Sequence, residues 1–136
     1  MKKLPLFAGV VCVAALSVAL MGMGASRKTE TPPAGAKGAI GSAMAKDMPV
    51  FVDVGSTHCI PCRKMMPTMD ALRKEYKGRM AVVFVDVEKE RDYALSLGVT
   101  MIPTQILYDK AGKEYKRHVG LLTMDEAESL IKNMGL

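Results

Sequence analysis

Two cysteines stand three positions apart in Cys59-Ile60-Pro61-Cys62, directly after an apolar, β-branched run from Val50 to Val54. Beyond them, Met65, Met69, Leu72 and Tyr76 recur at i, i+4, i+7 and i+11 and make one apolar helical face. The pair therefore sits where a strand gives way to a helix. Unpaired backbone N–H groups and the helix dipole favour negative charge there, so the first thiol is placed to ionise. Two thiols at this spacing can close a small disulfide ring and reopen it. The pattern points to thiol–disulfide exchange, against the alternatives of two inert buried thiols or a static disulfide.

The N-terminal sequence bears on the redox compartment. Residues 4–26 carry no charge, follow Lys2 and Lys3, and precede Arg27. A basic start and an apolar stretch ending in Gly22, Gly24, Ala25 and Ser26 read as a secretory signal; the length of the stretch also suits a retained membrane anchor. Either reading makes the rest of the chain exported and periplasmic, soluble or tethered to the inner membrane. Cys12 falls inside the apolar stretch, away from the chemistry. The two remaining cysteines are both in the motif, whereas a structural disulfide framework uses more cysteines at wider spacing. The formal charge of +5 includes Lys2 and Lys3, leaving 5 − 2 = +3. That mild excess, interspersed with acids and accompanied by few aromatics, excludes a nucleic-acid partner.

Three regions follow: a signal or anchor over 1–26, a flexible Pro/Gly/Ala/Thr-rich linker over 27–41, and a folded domain over 42–136. A short helix is expected over Ser42–Lys46, a buried strand over Val50–Val54 and a helix over Cys62–Lys77, kinked at Pro67 and capped by Gly78. Met80–Val87 is apolar nearly throughout and reads as a second buried, parallel strand. A short helix over Glu88–Leu97 ends at Gly98. Thr104–Tyr108 and Glu114–Val119 form a hairpin around the turn Asp109-Lys110-Ala111-Gly112. Thr123 and Glu126 make a capping box for a last helix with Ala127, Leu130, Ile131 and Met134 facing inward. The order β-α-β-α-β-β-α predicts an α/β fold, a four-stranded mixed sheet flanked by helices.

Over residues 47–136 the chain resembles the thioredoxin family. Cys59-Ile60-Pro61-Cys62 has the family's C-x-P-C form, and Asp53 lies where thioredoxins place a buried acid. Pro67 stands at the helix-kinking proline, and Ile102-Pro103-Thr104 looks like the cis-proline segment. Gly98-Val99 and Val119-Gly120 also fit. The chain departs from the family at His58, where tryptophan is usual, and at Ile60. It departs again at Phe84, near the place of a lysine that commonly pairs with the acid, and in a shortened N-terminal part. It is also similar to periplasmic, membrane-tethered thioredoxin-like proteins that reduce apocytochrome or other exported thiols, without their extra segment.

The resemblance implies a thioredoxin-like protein-disulfide oxidoreductase in which Cys59 attacks, Cys62 resolves the mixed disulfide, Asp53 exchanges protons with Cys62, and a cis Pro103 lines the site. Substrate contacts are expected from His58, Ile60, Pro61, Ile102 and Thr104. His58 reads equally as a cation favouring the Cys59 thiolate or as a solvated loop residue. His118 reads as structural. No metal and no organic cofactor are expected, since the electrons reside in the cysteine pair. The partners implied are protein thiol and disulfide substrates and a redox-resetting partner, such as a membrane thiol electron carrier. The chain is expected to act as a monomer and as a reductant. The alternative is a copper-binding protein of the same fold using both cysteines, His58 and nearby methionines such as Met65, with Met66 and Met69 in the same stretch.

Overall fold

The computed structural model describes residues 35–136. The expected signal or anchor and the first part of the expected linker lie outside the described residues. The elements are α1 (Gly35–Met44), β1 (Val50–Gly55), α2 (Ile60–Glu75), β2 (Ala81–Asp86), α3 (Arg91–Ser96), β3 (Thr104–Tyr108), β4 (Glu114–Val119) and α4 (Met124–Asn133). The strands form one mixed sheet in the order β2-β1-β3-β4. β1 pairs parallel with β2 and antiparallel with β3, and β3 pairs antiparallel with β4.

Alternation along β1 divides the core in two. Val50, Val52 and Val54 point to one face, where they pack with Ala36, Ile40, Ala43, Val85, Ala94, Val99 and Ile106. Phe51 points to the other, with Met65, Met69, Leu72, Tyr76, Leu107, Leu122, Ala127 and Ile131. The apolar face expected of α2 and the inward set expected of α4 therefore serve the same layer, with Leu130 and Met134 only partly buried at its rim. The capping box at Thr123 and Glu126 is present. β1 is buried at every position, as a central strand must be. β2 is an edge strand, half-exposed from Ala81 to Phe84, so the expected full burial of Met80–Val87 does not hold. The other edge, β4, carries Glu114, Lys116 and Arg117, charges that discourage pairing with another chain.

Three helix starts differ from expectation. α2 starts at Ile60 rather than Cys62, because proline is tolerated in a first turn, where its missing N–H loses no bond. α3 starts at Arg91 rather than Glu88, because Asp86 first winds the chain into turns. Its carbonyl accepts from Lys89 and Glu90 at 3.0 and 2.8 Å, and its side chain accepts from the Glu88 N–H at 3.0 Å. α1 starts at Gly35, so residues 35–41 belong to the folded unit and not to a linker, and the short helix expected over Ser42–Lys46 runs over Gly35–Met44 instead. Glu90 fixes its start, accepting from the N–H of Ala36 at 2.9 Å and of Lys37 at 3.3 Å.

Ile40 is 3% exposed and fills the space between α1 and the sheet. Ile40→Ala is expected to lower the unfolding free energy by about 2–4 kcal/mol in urea denaturation. A loss below about 0.5 kcal/mol, usual for surface positions, would return this segment to the linker.

Candidate active site

Four chain segments converge at one end of the sheet. The pairings Gly55 with Asp86 and Val54 with Thr104 bring the C-terminal ends of β1 and β2 level with the N-terminal end of β3. Thr104 also pairs with Val119, which adds the end of β4. The loop from Ser56 to Cys59 leaves the sheet at this end and delivers the cysteines.

Cys59 is the N-cap of α2, with extended backbone (φ −83°, ψ 121°), and its Sγ accepts the Cys62 N–H at 3.3 Å. The two are joined as a disulfide, with Cα atoms 5.2 Å apart. Pro61 lies in the first helical turn and contributes no N–H, and the Cys62 N–H points at the sulfur. A thiolate at Cys59 would keep that bond and gain from the helix dipole. Cys59 is half-buried and Cys62 is 1% exposed, so an incoming sulfur can reach the first and not the second. Gly55 lies directly beneath Cys62. A Cβ there would stand 3.1 Å from the Cys62 Cβ, 3.2 Å from its Sγ and 3.2 Å from the Phe84 ring, so no larger residue fits without displacement.

Asp53 shares the Phe51–Gly55 face of β1 and is fully buried. Its Oδ1 accepts from Gln105 Nε2 at 2.8 Å, while Oδ2 has no partner among the described residues. Burial pushes its pKa up to about 6; the Gln105 bond and the Arg73 guanidinium on α2 act in the opposite sense.

The Ile102–Pro103 peptide bond is cis and Pro103 is buried. The Pro103 carbonyl accepts from Gly120 N–H at 2.8 Å, which ties the β4 exit to this segment. Gly120 has φ +109°, a conformation that favours glycine. Around the cysteines, Ile60 and Met101 are each 62% exposed, and Val119 and Leu121 are also exposed. Pro61 is exposed and Ile102 half-buried. Thr104 departs from expectation. It is buried, and its Oγ1 donates to the Met101 carbonyl at 2.6 Å, so its side chain braces the loop and offers nothing to a substrate.

His58 is exposed, and its Nδ1 lies 2.9 and 3.0 Å from the two Glu88 carboxylate oxygens. Ser56 Oγ also donates to Glu88, and accepts the His58 N–H at 3.0 Å. Those bonds hold the Glu88 carboxyl below its ordinary range, the Ser56 bond most strongly. Of the methionines in the copper alternative, Met65 and Met69 are fully buried, with Met65 Sδ accepting the Leu122 N–H at 3.2 Å, and Met66 is half-buried. Ser56, Glu88 and Gln105 were not singled out from the sequence. Gln105 carries a legible signal, as an amide in an apolar strand two residues after Pro103; Glu88 and Ser56 carry none.

Residues 37–133 match the thioredoxin family model. A thioredoxin of Borreliella burgdorferi is 33% identical over 87 residues, which cover 64% of this chain and 74% of that protein. A thioredoxin of Porphyra purpurea is 31% identical over 85 residues, covering 62% and 78%. A crystal structure of chloroplastic thioredoxin z superposes with a TM-score of 0.65 at 26% identity, over 74% of this chain and 90% of that one.

The Asp53 shift carries a stability signature. Its folded pKa, about 6, lies above the ordinary 3.8. The protonated acid therefore favours the native state below about pH 4, and this contribution is lost as pH rises through about 6. The loss amounts to about 3 kcal/mol. Asp53→Asn is expected to gain that much on wild type between pH 4 and pH 8 in denaturant titrations. An unchanged difference across that range would contradict a buried, perturbed acid.

Proposed function

The chain belongs to the thioredoxin family and is a protein-disulfide oxidoreductase, and from that premise we propose that it works outside the cytoplasmic membrane as a reductant of exported proteins. The observation that carries the chemistry is the Cys59–Cys62 disulfide across the first turn of α2, one sulfur accessible and the other buried. Export is supported by the uncharged stretch over residues 4–26 behind Lys2 and Lys3, which serves as signal or tether. The reducing direction is supported by the thioredoxin relatives and the C-x-P-C form.

In the reduced protein the Cys59 thiolate attacks a substrate disulfide. One substrate sulfur leaves as a thiolate and the other stays bonded to Cys59. Cys62 then gives its proton to the Asp53 carboxylate and attacks Cys59 Sγ. The Cys59–substrate bond breaks, the Cys59–Cys62 bond forms, and the second substrate sulfur leaves. Two electrons have passed to the substrate, whose thiolates take protons from solvent. No organic cofactor is needed. A thiol electron carrier in the membrane restores the pair, and the chain acts as a monomer.

Ile60, Pro61, Met101 and Ile102 form the exposed rim on which an extended substrate segment lies. The Ile102 backbone, which enters no hydrogen bond among the described residues, pairs with that segment. His58, adjacent to Cys59 and held by Glu88, contacts the same segment.

Cys62→Ala is expected to accumulate mixed disulfides through Cys59 with exported proteins, and Cys59→Ala to accumulate none. Absence of such adducts from the Cys62→Ala strain would remove the exchange reading. Glutathione equilibration of the wild-type pair is expected to give roughly −270 mV, the value usual for thioredoxin; a value near about −120 mV would make it an oxidant instead.

A further inference from the structure

We propose that Gln105 is a positioning residue for the exchange reaction: its amide and the Asp53 carboxyl form a buried acid–amide pair that assigns the exchanged proton to Asp53 Oδ2. The inference rests on the reading of Asp53 as proton acceptor for Cys62. Asp53 and Gln105 are direct partners across the β1–β3 ladder, and both are 0% exposed. Gln105 Nε2 donates to Oδ1 at 2.8 Å. Two acceptors are left over: among the described residues, Asp53 Oδ2 and Gln105 Oε1 each lack a partner.

An ionised Asp53 leaves both of those oxygens as buried, unsatisfied acceptors, a costly arrangement. A proton on Oδ2 turns one acceptor into a donor, while Oδ1 stays occupied by the amide. With Asp53 ionised, the opposite amide orientation would set two oxygens against each other, so in that state the amide donates and the pair has one sense. Oδ1 is thereby the fixed oxygen and Oδ2 the one that gains and loses the proton. Both lie on the face of β1 that continues to Gly55, over which Cys62 sits.

The other groups facing Asp53 do not take over this role. From β2 the opposing residue is Phe84. From β3 comes only the neutral amide. From α2, Arg73 acts on the carboxyl, and its guanidinium is engaged by Asp70 at 2.7 Å and by the Val82 carbonyl at 3.3 Å. Gln105 is thus the one direct hydrogen-bond partner of the carboxyl among the described residues, and its bond favours the charged form.

Gln105 is the sole glutamine of the sequence, so 15N-glutamine labelling of the full-length protein reports one side chain. Its amide proton shifts are expected to titrate with the same midpoint as the Asp53 carboxyl carbon, and to become independent of pH in Asp53→Asn. In Gln105→Met the Asp53 midpoint is expected to rise by about 1 pH unit, and the pH profile of the resolving step to rise with it. A flat Gln105 amide signal beside a titrating Asp53, or an unmoved Asp53 midpoint in Gln105→Met, would overturn the pairing while leaving Asp53 its role. If Asp53→Asn leaves the pH profile of resolution unchanged, the role of Asp53 fails and the inference with it. Should Gln105→Met not fold, the wild-type titration decides.

Discussion

The close contact between Gly55 and Cys62 is the constraint on which the redox end depends. β1 is covered on both faces and hydrogen-bonded on both edges, so its last residue has no freedom to move away from α2. The helix settles until the Cys62 side chain rests on the bare Cα of Gly55. That contact seals Cys62 from solvent and leaves Cys59 at the helix cap, half open. The chemical inequality of the two sulfurs is thus a packing consequence, produced by a central strand ending in glycine beneath the first turn of a helix. The helix dipole adds to it, because only the capping sulfur receives an N–H from the helix start.

The same central strand explains why an acid is tolerated inside the sheet. Alternation puts Asp53 between Phe51 and Gly55 on the α2 face, where no solvent reaches it. An isolated carboxylate there would be very costly, and the fold supplies one amide donor and a distant guanidinium instead of a direct cation. The group consequently holds its proton close to neutrality, the range in which transfer to and from a thiol is useful. Stability is given up at this position as the carboxyl ionises, a cost that the proposed proton transfer from Cys62 carries. With no cation in direct contact with the carboxyl, replacing its one hydrogen bond alters the charge state, with little else on hand to compensate.

Elements whose packing faces follow a single period were legible in the sequence. β3 and β4 match their expected bounds, and the Met65–Tyr76 stripe and the Thr123–Glu126 box are where periodicity and capping chemistry put them. Legibility failed where a distant side chain decides a local structure. Nothing within residues 35–41 announces a helix, since their glycines and alanines read as a tether; the start is set by Glu90, more than fifty positions away. β2 looked buried because its run is apolar, yet an edge strand covered by helices has the same composition. Within the site, Cys59, Cys62, Asp53 and Pro103 could be read from spacing and resemblance. Gln105 could not be assigned to Asp53 until the β1–β3 register was known, because pairing across an antiparallel ladder is not encoded in either strand alone. Thr104 misled for the converse reason: a polar residue next to Pro103 suggests contact with substrate, but its hydroxyl is satisfied by the loop it follows.

Around this rigid interior the attacking side of the site is held by polar bonds at the surface. Ser56, His58 and Glu88 link the loop before α2 to the turn after β2, and every bond in that link involves at least one exposed partner. Such bonds exchange readily with water and contribute little to global stability. They do restrict the backbone on the N-terminal side of Cys59, where a helix cap is otherwise free to fray. The two halves of the site are therefore secured by different means: Cys62 and Asp53 by exclusion of water, and Cys59 by a helix cap and a surface carboxylate. On the proposed reading, a substrate at Cys59 would displace water from the exposed Ile60 and Met101, and the lower local dielectric would strengthen polar bonds beside them.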